Sequence, residues 1–225
     1  MQHIIVERDG RVTTITLNRP ERLNAINPDM HDELEAAFNR FAADPDQFVC
    51  VVTGAGRGFC AGSDLKAASE GDYRPYPAHG YAGLIERFDC PKPIVAKVNG
   101  LALGGGFELA LACDVIIAAE SARFGLPEPL VGAMALGGGV HRLARQIGLK
   151  QAMGMLLSAR QVDAAEGLRL GFVTEVVPDA ELDAATQRFC DAILKCSPMS
   201  IRATKDAAYR GLDEPGLAAA IANQA

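Results

Sequence analysis

Residues 94–118, IVAKVNGLALGGGFELALACDVIIA, decide the fold. Two short apolar runs, Ile94–Val98 and Val115–Ala118, have the look of strands buried on both faces. Between them lie the glycines 104–106 and the apolar helical stretch FELALAC. The same strand pattern stands upstream in Phe48–Thr53, FVCVVT, which ends at Gly54. Further upstream, residues 2–8 and 11–17 flank Asp9-Gly10, the short-range signature of a hairpin. Asn27-Pro28-Asp29 then precedes MHDELEAAFNRFAAD, where Met30, Leu34, Ala37, Phe38 and Phe41 recur at helical spacing behind a capping signal. Residues 67–80, with Gly71, Pro75, Pro77 and Gly80, read as a loop, either covering a substrate or making a surface excursion. Downstream of Gly138 the pattern is helical through HRLARQIG, LKQAMGMLLSA and AAEGLRLG, until the short strand FVTEVV. Ser197-Pro198 starts a further helix that Gly211 closes. The order β-β-α-β-loop-α-β-α-β predicts an α/β protein.

Composition bounds what such a protein does. A length of 225 residues suits one large domain, or one domain with a short appendage, at ~150 residues per domain. Hydrophobic residues make up 49% and charged residues 22%, which supplies a core and excludes whole-chain disorder. Lys and Arg number 22 against 28 Asp and Glu, a net charge of −6, so no basic field draws nucleic acid or an anionic membrane. No apolar run approaches ~18 residues, and Glu7, Arg8 and Asp9 interrupt the start; a soluble, cytoplasmic protein is expected. Six cysteines include no CxxC pair, and four scattered histidines include no HExxH. Reduced, mostly buried thiols and no metal centre are the expectation.

Three stretches carry candidate chemistry. The first is Gly54–Lys66, GAGRGFCAGSDLK, whose glycines let a backbone approach a ligand and whose free N–H groups would bind anions; tight-turn geometry alone explains it equally well. It is neither a Walker loop nor a dinucleotide fingerprint. The second is the glycine run 104–106 at a helix start, where bare amides favour developing negative charge. Glu108, among Phe107, Leu109, Ala110 and Leu111, reads either as a complement to the helix dipole or as a desolvated acid or base. The third is Glu128, set between Pro127 and Pro129: a positioned carboxyl or half of a structural ion pair.

Four blocks in order carry a resemblance: NRPERLNAIN (18–27), TGAGRGFCAGSDLK (53–66), NGLALGGGFELALACDVIIAAESARFGLPE (99–128) and GGGVHRLARQIG (137–148). Together they resemble the enoyl-CoA hydratase/isomerase (crotonase) superfamily, over about residues 4–212. The resemblance implies a crotonase-like spiral of ββα units with a helical C-terminal region. Residues 1–196 would form the spiral core with its following helices, and 197–225 a C-terminal helical segment, in a homotrimer or dimer of trimers. It implies an acyl-CoA thioester held between the first two glycine-rich segments, with oxyanion-hole amides at Ser63 and Gly105. Glu108 would be the base toward water and Glu128 the proton donor to Cα. Arg22 and Lys66 would meet the phosphates, while Leu23, Ala25, Ala61, Ser63, Asp64, Leu65, Gly104 and Gly105 would line the ligand path with their backbones. No metal or redox cofactor is implied, since coenzyme A enters as part of the substrate.

The implied reaction is reversible hydration of a trans-2-enoyl-CoA, in which charge develops on the thioester oxygen as an enolate forms. A Δ3-Δ2 isomerase or another acyl-CoA lyase or dehydratase would use the same enolate, but isomerisation needs one carboxyl and this chain has two. A non-catalytic acyl-CoA-binding oligomer is a reading from a different class; RNA binding fits poorly with the charge. Two departures stand out. Met134-Ala135-Leu136 occupies a segment where members often carry proline, so the acyl-pocket wall is expected to differ. The sequence stops at IANQA without a final EGxxAFxEKRxP-type segment, so it reads as truncated or naturally short, and in either case a more open pocket is expected.

Overall fold

In the computed structural model, residues 2–65 and 74–223 are described. Strands β1 (Ile4–Asp9) and β2 (Val12–Leu17) pair antiparallel, Ile4 opposite Leu17, around the expected turn at Gly10. Helix α1 (Pro28–Ala43) starts where the Asn27 side chain accepts the Met30 N–H at 3.0 Å. Its apolar stripe buries Met30, Leu34, Ala37, Phe38 and Phe41.

The chain then alternates between two sheets. Strand β3 (Val49–Gly54) is followed by β4 (Gly58–Cys60), β5 (Ile94–Val98) by β6 (Leu101–Leu103), and β7 (Val115–Ala119) by β8 (Arg123–Gly125). Helix α2 (Gly105–Ala112) connects β6 to β7. The first strand of each pair enters a six-stranded sheet, order β1-β2-β3-β5-β7-β10 with β10 at Glu175–Val177, and the second enters a four-stranded sheet, order β4-β6-β8-β9 with β9 at Val162–Asp163. Because both sheets grow in the same sequence, successive ββ units advance as a spiral. Beyond β8 come helices α3 (Gly139–Ile147) and α4 (Leu149–Ser158), strand β9 (Val162–Asp163), helix α5 (Ala164–Leu170), strand β10 (Glu175–Val177), and helices α6 (Leu182–Leu194), α7 (Pro198–Gly211) and α8 (Leu217–Ala222).

The continuous apolar runs have a direct cause. Cys50, Val52, Ile94, Ala96, Ile116 and Ala118 face the main core with α1 and α2. Val49, Val51, Val95, Ile117 and Ala119 face the other way, under Leu182, Ala185 and Cys190 of α6. Both faces of β3, β5 and β7 are therefore covered, as parallel strands require. All six cysteines are free thiols, five of them buried.

Two expectations change. The second sheet had no sequence signal, because three-residue strands such as Gly58-Phe59-Cys60 are too short to show a period. The helix expected just before Ile94 is, among residues 74–93, only a 3₁₀ turn at Tyr81–Gly83. Half of the loop expected over 67–80, namely 67–73, lies outside the described residues.

Buried amides hold the turns. The Asn24 side chain donates to the carbonyls of Ala55 (2.9 Å) and Gly58 (2.8 Å), and that of Asn99 to Gly54 (2.8 Å) and Gly56 (2.9 Å). These bonds pin the turn between β3 and β4 from both sides. Helix α2 sits directly on β4, so a methyl group on Gly106 would stand inside the Cys60 carbonyl. Gly106→Ala is expected to destabilise the fold by about 1–3 kcal/mol through forced separation of α2 from β4, read as a lowered midpoint in denaturant.

Candidate active site

Two backbone segments meet where the sheets hand over to α2. Ser63 forms a parallel bridge with Ile26: the Ile26 N–H donates to Gly62 O at 2.8 Å and the Asp64 N–H to Ile26 O at 2.9 Å. Such a bridge uses the neighbours of Ser63, so the Ser63 N–H points to the other side. Gly62 has φ +97°, and a Cβ there would lie 2.9 Å from Leu103 O and 3.2 Å from Gly105 N. Gly104 precedes α2 with φ +53°, and no side chain caps the helix. As the first helical residue, Gly105 has no intrahelical acceptor for its N–H. Among the described residues, no acceptor takes the N–H of Ser63 or of Gly105. Two unspent amide donors therefore stand on adjoining segments at a helix N-terminus, an arrangement that stabilises negative charge on an oxygen.

The two glutamates lie beside them. Glu108, in the first turn of α2, is 4% exposed and accepts the Gly139 N–H at 2.8 Å. Burial raises its pKa to about 7, with help from the charge of Glu128 and against the Gly139 and Gly137 amides and the Arg142 guanidinium. Gly137 and Gly139 crowd this carboxyl: Cβ atoms there would stand 2.5 Å from Glu108 Oε2 and 2.8 Å from Oε1. Glu128 opens a 3₁₀ turn, Glu128–Val131, and its Oε1 lies 3.1 Å from where a Cβ on Gly104 would be. Its Oε2 is buried without a hydrogen-bond partner among the described residues, and burial raises its pKa. Among the described residues, no ion pair holds Glu128.

Ser63, Gly104, Gly105, Glu108 and Glu128 are thus brought to one place by three separate stretches of chain. The other candidates fall along the neighbouring turn at 19–26 and the segment 61–66. Arg22 is exposed at the end of a 3₁₀ turn, Pro20–Arg22. Lys66 lies outside the described residues. The amides of Leu23, Ala25, Ala61 and Asp64 are consumed internally, by Pro20 O, Arg22 O, Leu23 O and Ile26 O. What this turn offers a ligand is therefore carbonyl oxygen and surface, not N–H donors. Leu65 is 64% exposed beside it. In the altered wall segment, Met134 and Leu136 are exposed and Ala135 is buried.

Two residues were missed in the sequence. Arg19 donates to Ala25 O at 2.5 Å and pairs with Asp64 at 2.8 Å, tying the 19–26 turn to the segment that carries Ser63. Its signal was the cation before Pro20 matched by an acid after Ser63. Tyr81 accepts a hydrogen bond from the Ser63 hydroxyl at 3.2 Å, and no motif in the sequence marks it. Among the described residues, no three His, Cys, Asp or Glu side chains converge on one point, and no helix is long and apolar enough to cross a membrane.

The chain is similar to known proteins over most of its length. The family model described as Enoyl-CoA hydratase/isomerase matches residues 7–225. The carnitinyl-CoA dehydratase of Proteus mirabilis is 43% identical over 208 residues, covering 91% of this chain and 79% of its own. A probable enoyl-CoA hydratase of Mycobacterium bovis is 39% identical over 211 residues, covering 93% and 82%. The crystal structure of an enoyl-CoA hydratase from Mycobacterium marinum superposes with a TM-score of 0.93 at 35% identity, over 100% of this chain and 88% of that one. The match extends over most of the sequence and over the fold, and this chain belongs to the enoyl-CoA hydratase/isomerase family.

Proposed function

We propose that Glu108 and Glu128 add water across the double bond of a trans-2-enoyl-CoA while the amides of Ser63 and Gly105 hold the thioester oxygen. The enzyme is a hydro-lyase with enoyl-CoA hydratase-like activity on an acyl-CoA thioester. The names dehydratase and hydratase among its relatives describe one equilibrium approached from its two sides. The observation that carries the mechanism is a buried carboxyl, Glu108, and a half-buried one, Glu128, next to two unspent amide donors.

Each group has a reason for its role. Addition of hydroxide character at Cβ pushes electrons onto the thioester oxygen, where donors already in place need no reorganisation. Glu108 accepts amide hydrogen bonds, which favour its anion and suit it to take a proton from water. Glu128 has a buried oxygen with no donor facing it, which favours its neutral form and suits it to protonate Cα. The reaction needs the two carboxyls in opposite protonation states near neutrality, and burial raises the pKa of both. Two carboxyls at the site favour hydration over isomerisation, which needs one.

The rest of the reading follows from chemistry near the site. Adenine offers an amine, and the carbonyls of the 19–26 turn accept from it; Arg22 stands within that turn to meet phosphate, with Lys66 as its partner in this role. Coenzyme A enters only as part of the substrate, with no separate cofactor. Leu130, Val131, Met134 and Leu136 form an exposed apolar run, which supports burial between copies in a homotrimer or dimer of trimers. Free, mostly buried thiols support the cytoplasm as its compartment.

Hydration of trans-2-butenoyl-CoA is expected to fall by about 10²–10⁴ in kcat for Glu108→Gln and for Glu128→Gln, followed by loss of enoyl-thioester absorbance. Unchanged turnover in both variants would overturn the mechanism. Wild-type kcat/KM is expected to rise with pH through about 7, as Glu108 ionises, and to fall once the second proton of the pair is gone. Raising the Glu108 pKa from 4.5 to about 7 also makes its ionisation destabilising. The stability it leaves intact below pH 4.5 is lost as pH rises through 7, so Glu108→Gln should melt above wild type at pH 8, by up to about 3 kcal/mol. That gap should close as pH falls toward 4.5.

A further inference from the structure

Tyr81 has no place in the hydration scheme, yet it touches both residues that supply the amide donors. Its hydroxyl accepts from Ser63 Oγ at 3.2 Å. Its ring and hydroxyl fill the space where a Cβ on Gly105 would stand, so it lies against the Gly105 backbone. It is 4% exposed, and no described residue accepts its own O–H.

The turn that delivers Tyr81 is built at some conformational expense. Gly80, Ala82 and Gly83 all have positive φ, at +73°, +56° and +63°, and for Ala82 that region is strained. Three contacts hold it. The Ala82 N–H donates to His31 Nδ1 at 2.9 Å, which requires that nitrogen to be unprotonated. Burial keeps His31 neutral by lowering its pKa to about 4. The His31 ring also meets the Tyr81 ring edge-on, with centroids 4.6 Å apart. Finally, Gly83 packs on α1 so closely that a Cβ there would lie 2.6 Å from Glu35 Cα. A strained turn with three supports fixes the ring of Tyr81 in one position.

We infer that Tyr81 is a positioning residue for the oxyanion hole: its hydroxyl, bonded to the Ser63 side chain, and its ring, lying against Gly105, set the separation of the two amide donors. The inference rests on the assignment of those amides to the thioester oxygen. A shift of the Ser63 segment weakens one donor without removing it, so binding of the coenzyme portion is left alone and the polarisation of the carbonyl is reduced.

The test is a double-mutant cycle of Tyr81→Phe and Ser63→Ala, which removes one hydroxyl at a time and leaves both amides in place. Turnover is read with trans-2-butenoyl-CoA. Carbonyl polarisation is read as the red shift of bound trans-cinnamoyl-CoA, whose absorbance moves as its thioester oxygen accepts hydrogen bonds. Each single variant is expected to lower kcat about 3- to 10-fold, the range of one hydrogen bond, with KM little changed and the red shift reduced. The double variant is expected to lose no more than either single one. Wild-type kcat and red shift in Tyr81→Phe, or losses that multiply in the double variant, would overturn the inference alone. Should Tyr81→Phe fail to fold, Ser63→Ala decides, and unchanged kcat and red shift in it overturn the inference. A wild-type protein that neither turns over the substrate nor shifts the bound probe overturns the assignment of the amides together with it.

Discussion

Direct contact between two stretches of bare backbone governs this structure. Gly62 leans on Gly105 and Leu103, and Gly106 lies on the Cys60 carbonyl, with no side chain between them. That contact seats the start of α2 on the second sheet and leaves two amides without internal partners. A side chain at any of these positions would separate the segments and dissolve the pair of donors. The polar groups around it serve the same geometry: Asn24 and Asn99 clamp the preceding turn, and Arg19 ties Asp64 to the 19–26 turn.

The acid pair imposes an opposite demand. Close packing around Glu108 excludes the water that would stabilise its charge, and the Gly139 and Gly137 amides return only part of that solvation. The fold tolerates a destabilised carboxylate at the one place where a base poised near neutrality is useful. Glu128 is under the same pressure, since one of its oxygens is buried with no partner among the described residues. Stability and chemistry pull against each other at these two side chains, and the large shared core of α1, α2 and the parallel strands absorbs the difference.

Much of this could be seen in the chain itself, and the exceptions have physical causes. The doubly buried strands β3, β5 and β7 announced themselves as unbroken apolar runs, and the Asn27 cap and the apolar stripe marked α1. The glycine segments and Glu108 stood out because their residue types are poor choices for an ordinary helix start in an apolar setting. The four-stranded sheet stayed hidden, since strands of two or three residues carry no period. Tyr81 stayed hidden for a different reason: its role depends on a turn held by His31 from α1, a tertiary contact that no local pattern encodes. The backbone along the 19–26 turn was expected to line the ligand path, but only the folded chain reveals that its amides are already spent.

The exposed run from Leu130 to Leu136 follows Glu128 directly, yet it is free of the crowding that surrounds Gly62, Gly105 and Gly106. Change is therefore unequally permitted across a few ångströms. The floor that handles electrons is frozen by the absence of room for even one carbon atom. Substitutions at the exposed Leu130, Val131, Met134 and Leu136 leave that floor in place, so this stretch admits new side chains where the floor admits none.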